Sequence, residues 1–92
     1  MITSFKCADT EALSKGHRVK RFVGIESGAR RKLRQLEIAS RLEDLRVPPG
    51  NRLEALKGDR VGQHSIRVND QFRVCFRWVA GAADDVEIVD YH

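Results

Sequence analysis

Ninety-two residues make one small domain, 1–92, which by surface-to-volume scaling buries roughly two-thirds of the surface its unfolded chain exposes. With 41% hydrophobic and 33% charged residues the chain is not disordered by composition, and it carries no low-complexity tract or internal repeat. A net charge of +4 and a pI near 9.5 point to polyanionic partners, while the lack of any apolar run near the ~20 residues of a bilayer span argues against a membrane.

In chain order, residues 2–5 read as a short strand, with Ile2 and Ser4 on one side and Thr3 and Phe5 on the other. Lys6, Asp9 and Glu11 interrupt anything like the apolar stretch of an export signal, so a cytoplasmic protein is expected. Asp9 is the expected N-cap, and Gly16 the C′ residue, of a short helix over residues 10–15. Residues 17–21 form a basic connector. A longer helix is predicted over residues 23–40, where Ile25, Ala29, Leu33 and Leu36 follow the 3.6-residue period. Its other flank carries Arg30, Arg31, Lys32 and Arg34, a solvated face or a cationic one for nucleic-acid backbone. Leu42 and Leu45 add one turn before Val47-Pro48-Pro49-Gly50 ends the helical region, and nothing helical is expected after it.

Strands are predicted over residues 53–57, 63–68, 72–79 and 86–90. Their connections are a turn at 58–62, a two-residue hairpin at Asn69-Asp70, and a loose turn at 80–84. The resulting fold class is α+β: two N-terminal helices packed on one face of a mostly antiparallel sheet, in the order β-α-α-β-β-β-β.

Phe72, Val74, Phe76 and Trp78 alternate with Arg73, Cys75 and Arg77, so one face is core and the other is open to chemistry. Arginines on a sheet beside a chain end of Asp90-Tyr91-His92 suggest a site for a phosphate-containing polymer. Cys7 and Cys75 are too few for a disulfide framework, and His17, His64 and His92 have no Cys or His at ligand spacing, so neither metal nor cofactor is expected.

The block from Pro48 through Arg60, the segment Gly62-Gln63-His64-Ser65-Ile66-Arg67-Val68-Asn69-Asp70-Gln71, the run Arg73-Val74-Cys75-Phe76 and the close Val86-Glu87-Ile88-Val89-Asp90-Tyr91-His92 resemble the HigB toxins. These belong to the RelE/ParE superfamily of type II toxin–antitoxin systems, and the resemblance covers nearly the whole chain. It implies a RelE/ParE-like fold and an endoribonuclease that enters the ribosomal A site and cuts messenger RNA. It also implies a HigA-type antitoxin that neutralises the toxin and carries the complex to operator DNA. Lys57, Arg73, Asp90, Tyr91 and His92 fall on positions implicated in that activity. Glu54 stands where some members have histidine, and Gln71 where some have asparagine, which moves the acid/base burden toward the chain end.

Cutting RNA without a metal requires the 2′-OH to lose a proton, the phosphorane to be stabilised and the 5′-oxygen to gain a proton. Arg73 and Lys57 suit the phosphate charge, with Arg60, Arg67 and Gln71 as further substrate contacts. His92 suits proton transfer, with Asp90 or Glu54 as base or orienting group, and Tyr91 suits stacking on a base or bonding a phosphate. Two other readings stand beside this one: a ParE-like toxin that poisons DNA gyrase without catalysis, and a basic nucleic-acid-binding module.

Overall fold

Ile66, Val74, Phe76, Val86 and Ile88 leave one face of a four-stranded antiparallel sheet and meet Ala29, Leu33 and Leu36 of a helix; all eight are buried. Burying a side chain the size of Phe76 or Leu36 contributes about 1.5–3 kcal/mol, so this seam is what holds the two layers together. The computed structural model describes residues 1–90. Its strands are β1 (Glu54–Ala55), β2 (His64–Arg67), β3 (Phe72–Val79) and β4 (Ala82–Asp90), in the spatial order β1-β2-β3-β4. The helices are α1 (Ala8–Ser14) and α2 (Glu26–Ile38), so the α+β class agrees with the sequence, as does the order of the two helices and the four strands after them. Among the described residues, no helix is long and apolar enough to cross a membrane.

Residues 2–5 form two isolated parallel bridges to β4, Ile2 with Ala83 and Phe5 with Val86, in place of a full strand. They are fastened by Thr3 N–H to the Ala83 carbonyl at 2.8 Å and by Val86 N–H to the Ser4 carbonyl at 3.1 Å. Helix α1 begins after Cys7, not after Asp9. Asp9 lies inside the first turn, where a carboxylate favours the positive helix end, and it pairs with Arg21 at 3.2 Å. Gly16 closes the helix as expected: its φ of +91° lets Gly16 N–H reach the Leu13 carbonyl and His17 N–H reach the Ala12 carbonyl, the two bonds of a Schellman cap.

The helix expected over residues 23–40 divides into a 3-10 segment, Lys20–Ile25, and α2. Gly24 is a poor helix former, and the tighter segment turns Phe22 inward, where its ring meets that of Phe72 edge-on at 6.0 Å. Leu42–Arg46 supplies the further turn the sequence suggests. Two more 3-10 turns, Pro49–Asn51 and Gly58–Arg60, occupy the stretch expected to be free of helix.

The sheet is shorter at one edge and longer at the other than the sequence indicates. β1 has two residues; beyond them Leu56 N–H still reaches the Gln63 carbonyl at 2.9 Å before Gly58, at φ +63°, turns the chain away. The β2–β3 connection is a loop in which Asn69 Oδ1 accepts from the N–H groups of Gln71 and Phe72 at 2.8 and 2.7 Å, replacing the two-residue hairpin. At the other hairpin only Ala80 and Gly81 turn, both with positive φ, so β4 starts at Ala82 and takes in residues expected to be loop. A register shift follows opposite Cys75 and Arg77, with Asp85 at φ 52° on the bulged side.

Candidate functional site

The face of the sheet turned from the helices is built on a row of four residues. Register pairs Glu54 with Ser65, Ser65 with Cys75, and Cys75 with Glu87, so a single line crosses all four strands. The two central members are small and fully buried. Small side chains at these positions leave room for longer ones to lie across them, and two arginines do so.

Arg73, two residues before Cys75 on β3, folds back over Ser65. Its Nε donates to Ser65 Oγ at 2.7 Å, and its Nη2 donates to the Arg52 carbonyl at 2.7 Å and to the Ser65 carbonyl at 3.4 Å. Glu54 Oε1 stands 3.6 Å from the same Nη2, and the Arg73 side chain is only 12% exposed. The covered guanidinium meets oxygen acceptors at Nε and Nη2, as a buried cation requires. Arg60 leaves the turn after β1, and its Nη1 donates to Glu87 Oε1 at 3.0 Å and to Gln63 Oε1 at 3.1 Å. Lys6 Nζ adds a contact to Glu87 at 4.0 Å. Burial pushes the Cys75 thiol up, against the pull of Arg60 and Arg73 toward the thiolate, which makes it a floor rather than a nucleophile.

At the open end of the row, Phe72 pairs with Asp90 and Arg73 with Val89, so the last residues of β4 run beside the start of Arg73's strand. Gln71 Nε2 donates to Asp90 Oδ2 at 3.0 Å, tying the β2–β3 loop to the end of β4. Lys57 is exposed, immediately before the Gly58–Arg60 turn. Tyr91 and His92 lie outside the described residues.

A family model described as the RelE-like toxin of the type II toxin–antitoxin system HigB matches residues 14–92. The chain belongs to the HigB-like toxins. It is also similar to a protein named Toxin HigB-1 from Vibrio cholerae serotype O1 (strain ATCC 39315 / El Tor Inaba N16961), with 52% identity over 59 residues. That match covers 64% of this chain and 62% of the relative. In this HigB-like toxin the matched residues take in α2 and the whole sheet; the bridges of residues 2–5 precede them.

Of the residues singled out in the sequence, the toxin's fold gathers Glu54, Arg60 and Arg73 on one surface and joins Gln71 to Asp90. Arg67 is drawn to the loop, where its Nη2 pairs with Asp70. Ser65, Glu87, Gln63 and the carbonyl of Arg52 were not legible as site groups, although Ser65 in mid-strand, where a β-branched residue fits best, was a usable signal. The cations of α2 split in the same way. Arg30 is spent on the Leu13 and His17 carbonyls and on Glu26, and Lys32 bonds Asn51, while Arg31 and Arg34 are exposed. Trp78 packs edge-on against Phe76 at 6.5 Å, a core role. His64 stacks on Phe76 on the helix side of the sheet. Among the described residues, no group of three or more His, Cys, Asp or Glu side chains is placed to hold a metal.

Proposed function

We propose that this HigB-like toxin is an endoribonuclease that cuts messenger RNA in the A site of the translating ribosome, arrests growth from the cytoplasm, and is neutralised by a HigA-type antitoxin that also carries the complex to operator DNA. The observation that supports it most directly is the Arg73 guanidinium, held by Ser65 and the Arg52 carbonyl on the face of the sheet turned from the helices, beside the end of β4. A guanidinium held in this way offers a phosphodiester a positive charge fixed in place, and that charge opposes the extra charge that develops in the phosphorane.

Lys57, exposed at the near turn, supplies a second positive charge of the mobile kind. Glu54 acts as counter-ion to Arg73, and Arg60 and Gln71 line the approach. His92 carries the proton transfers, since imidazole titrates near neutral pH, with Asp90 orienting it and Tyr91 against the nucleotide.

The test is cleavage of a defined messenger on purified ribosomes by the full-length toxin, with new 5′ ends mapped with and without translation. Cuts that depend on ribosomes are expected, with losses of about a hundredfold or more in Arg73→Ala and in a chain lacking Tyr91 and His92. Growth arrest with messages left uncut and a DNA-damage response would overturn the reading in favour of a gyrase poison.

A further inference from the structure

We infer that Ser65, together with the Arg52 carbonyl, positions the Arg73 guanidinium, so that this serine on the neighbouring strand sets the rate of phosphodiester cleavage. The inference rests on the ribonuclease reading and assigns to Ser65 a role in the rate as a positioning residue.

Three observations carry it. Arginine has a long, rotamer-rich side chain, and a surface arginine samples many orientations before it meets a phosphate. Arg73 is held instead at Nε and at Nη2, and two bonds from different nitrogens of one planar group fix its plane as well as its place. The Nε partner, Ser65 Oγ, belongs to a residue with no solvent exposure in the middle of β2. A valine or isoleucine would be the stronger strand former here, and it would remove the acceptor. The Nη2 partner is the carbonyl of a residue in the left-handed region, Arg52 at φ 46° and ψ 54°. An L-residue with a Cβ costs about 1 kcal/mol in that conformation, and here it turns a carbonyl toward Arg73.

A guanidinium fixed before substrate arrives has little reorganisation left to do in the transition state, so loss of the fixing contact should lower the rate and leave binding nearly alone. Single-turnover cleavage of ribosome-bound messenger is therefore measured for the wild type, Ser65→Ala and Ser65→Thr, and for Ser65→Ala combined with Arg73→Lys. Ser65→Ala is expected to lower the saturating rate by about ten- to a hundredfold while the half-saturating ribosome concentration stays within about twofold. Ser65→Thr, which keeps the hydroxyl, recovers most of the rate. In the Arg73→Lys background, where no Nε–H remains, Ser65→Ala costs nothing further.

A wild-type rate in Ser65→Ala, a loss that threonine does not recover, or an additive loss in the lysine background would each overturn the inference while the ribonuclease reading stands. A wild type that cuts nothing removes the reading and the inference together. In the unsubstituted protein the Nε–H resonance of Arg73 is expected to exchange slowly with solvent. A fast-exchanging resonance overturns the inference without recourse to any variant.

Discussion

Asn51 is fully buried, and both ends of its amide are engaged. Its Nδ2 donates to Gln35 Oε1 at 2.8 Å, to the Leu45 carbonyl at 3.1 Å and to the Val47 carbonyl at 3.4 Å, while its Oδ1 accepts from Lys32. The residue thus sews α2 to the loop that ends in Arg52, and so supports the carbonyl that holds Arg73. Lys32 already has its pKa lowered, first by burial and then by Arg31 and Arg67, so it has most to lose when its acceptor goes. Asn51→Ala takes the amide from three oxygens, those of Gln35, Leu45 and Val47, and the acceptor from the Lys32 ammonium, and the expected cost is about 2–3 kcal/mol in urea unfolding. A loss under about 0.5 kcal/mol would mean that water replaces the amide. In the sequence Asn51 is only a polar residue after Pro-Pro-Gly, because two of its partners, Lys32 and Gln35, come from α2, far earlier in the chain. Arg73 was legible by contrast, since strand alternation alone puts it on the face away from Phe72, Val74 and Phe76.

At the scale of elements, the hairpin of β3 and β4 shows why one boundary was misplaced. Two-residue hairpins with positive φ at both turn positions favour Asn-Gly or Asp-Gly, and this chain has Ala80-Gly81. With no such turn signal, the sequence places Asp84 in the loose turn and starts the last strand only after Asp85. They stay in β4 because each has a tertiary partner: Ser4 and Thr3 donate to Asp84 Oδ1, and Arg77 Nε lies 3.7 Å from Asp85. The core period of α2 needed no such help, since Ala29, Leu33 and Leu36 share a face by spacing alone. Ala80 sits at φ 51° with a Cβ that gains nothing there, so Ala80→Asn should stabilise the protein by about 0.5–1 kcal/mol. For a domain of this size that is a rise in Tm of roughly 3–6 °C. An unchanged or lower Tm would show that the turn's conformation differs from a mirror-image hairpin turn.

Across the whole molecule, β4 is where the two halves of the chain are joined. It pairs with β3 along one edge, takes the bridges of residues 2–5 along the other, and receives α1 through Ile88 N–H donating to Thr10 Oγ1 at 3.0 Å. Its last residue leads into Tyr91 and His92, so whatever steadies β4 steadies the approach to the proposed chemistry. Asp84 is a titratable lock on this junction. The hydroxyl of Ser4, then those of Thr3 and the Asp85 N–H, hold its carboxyl below the usual aspartate range, although partial burial works the other way. Because the folded value is the lower one, the stability Asp84 contributes is fully present above the unfolded value of about 3.9 and is lost as pH falls through the folded value. Acidification should therefore loosen residues 2–5 from β4, read as faster amide exchange at Thr3 and Val86, before the β3–β4 pairing gives way. Asp84→Asn removes the titration but keeps an acceptor for Ser4. Its stability at pH 7 should fall below that of the wild type, and the gap should narrow at pH 3. A gap that stays constant between the two pH values would show that the carboxylate's charge does not lock the first residues to β4.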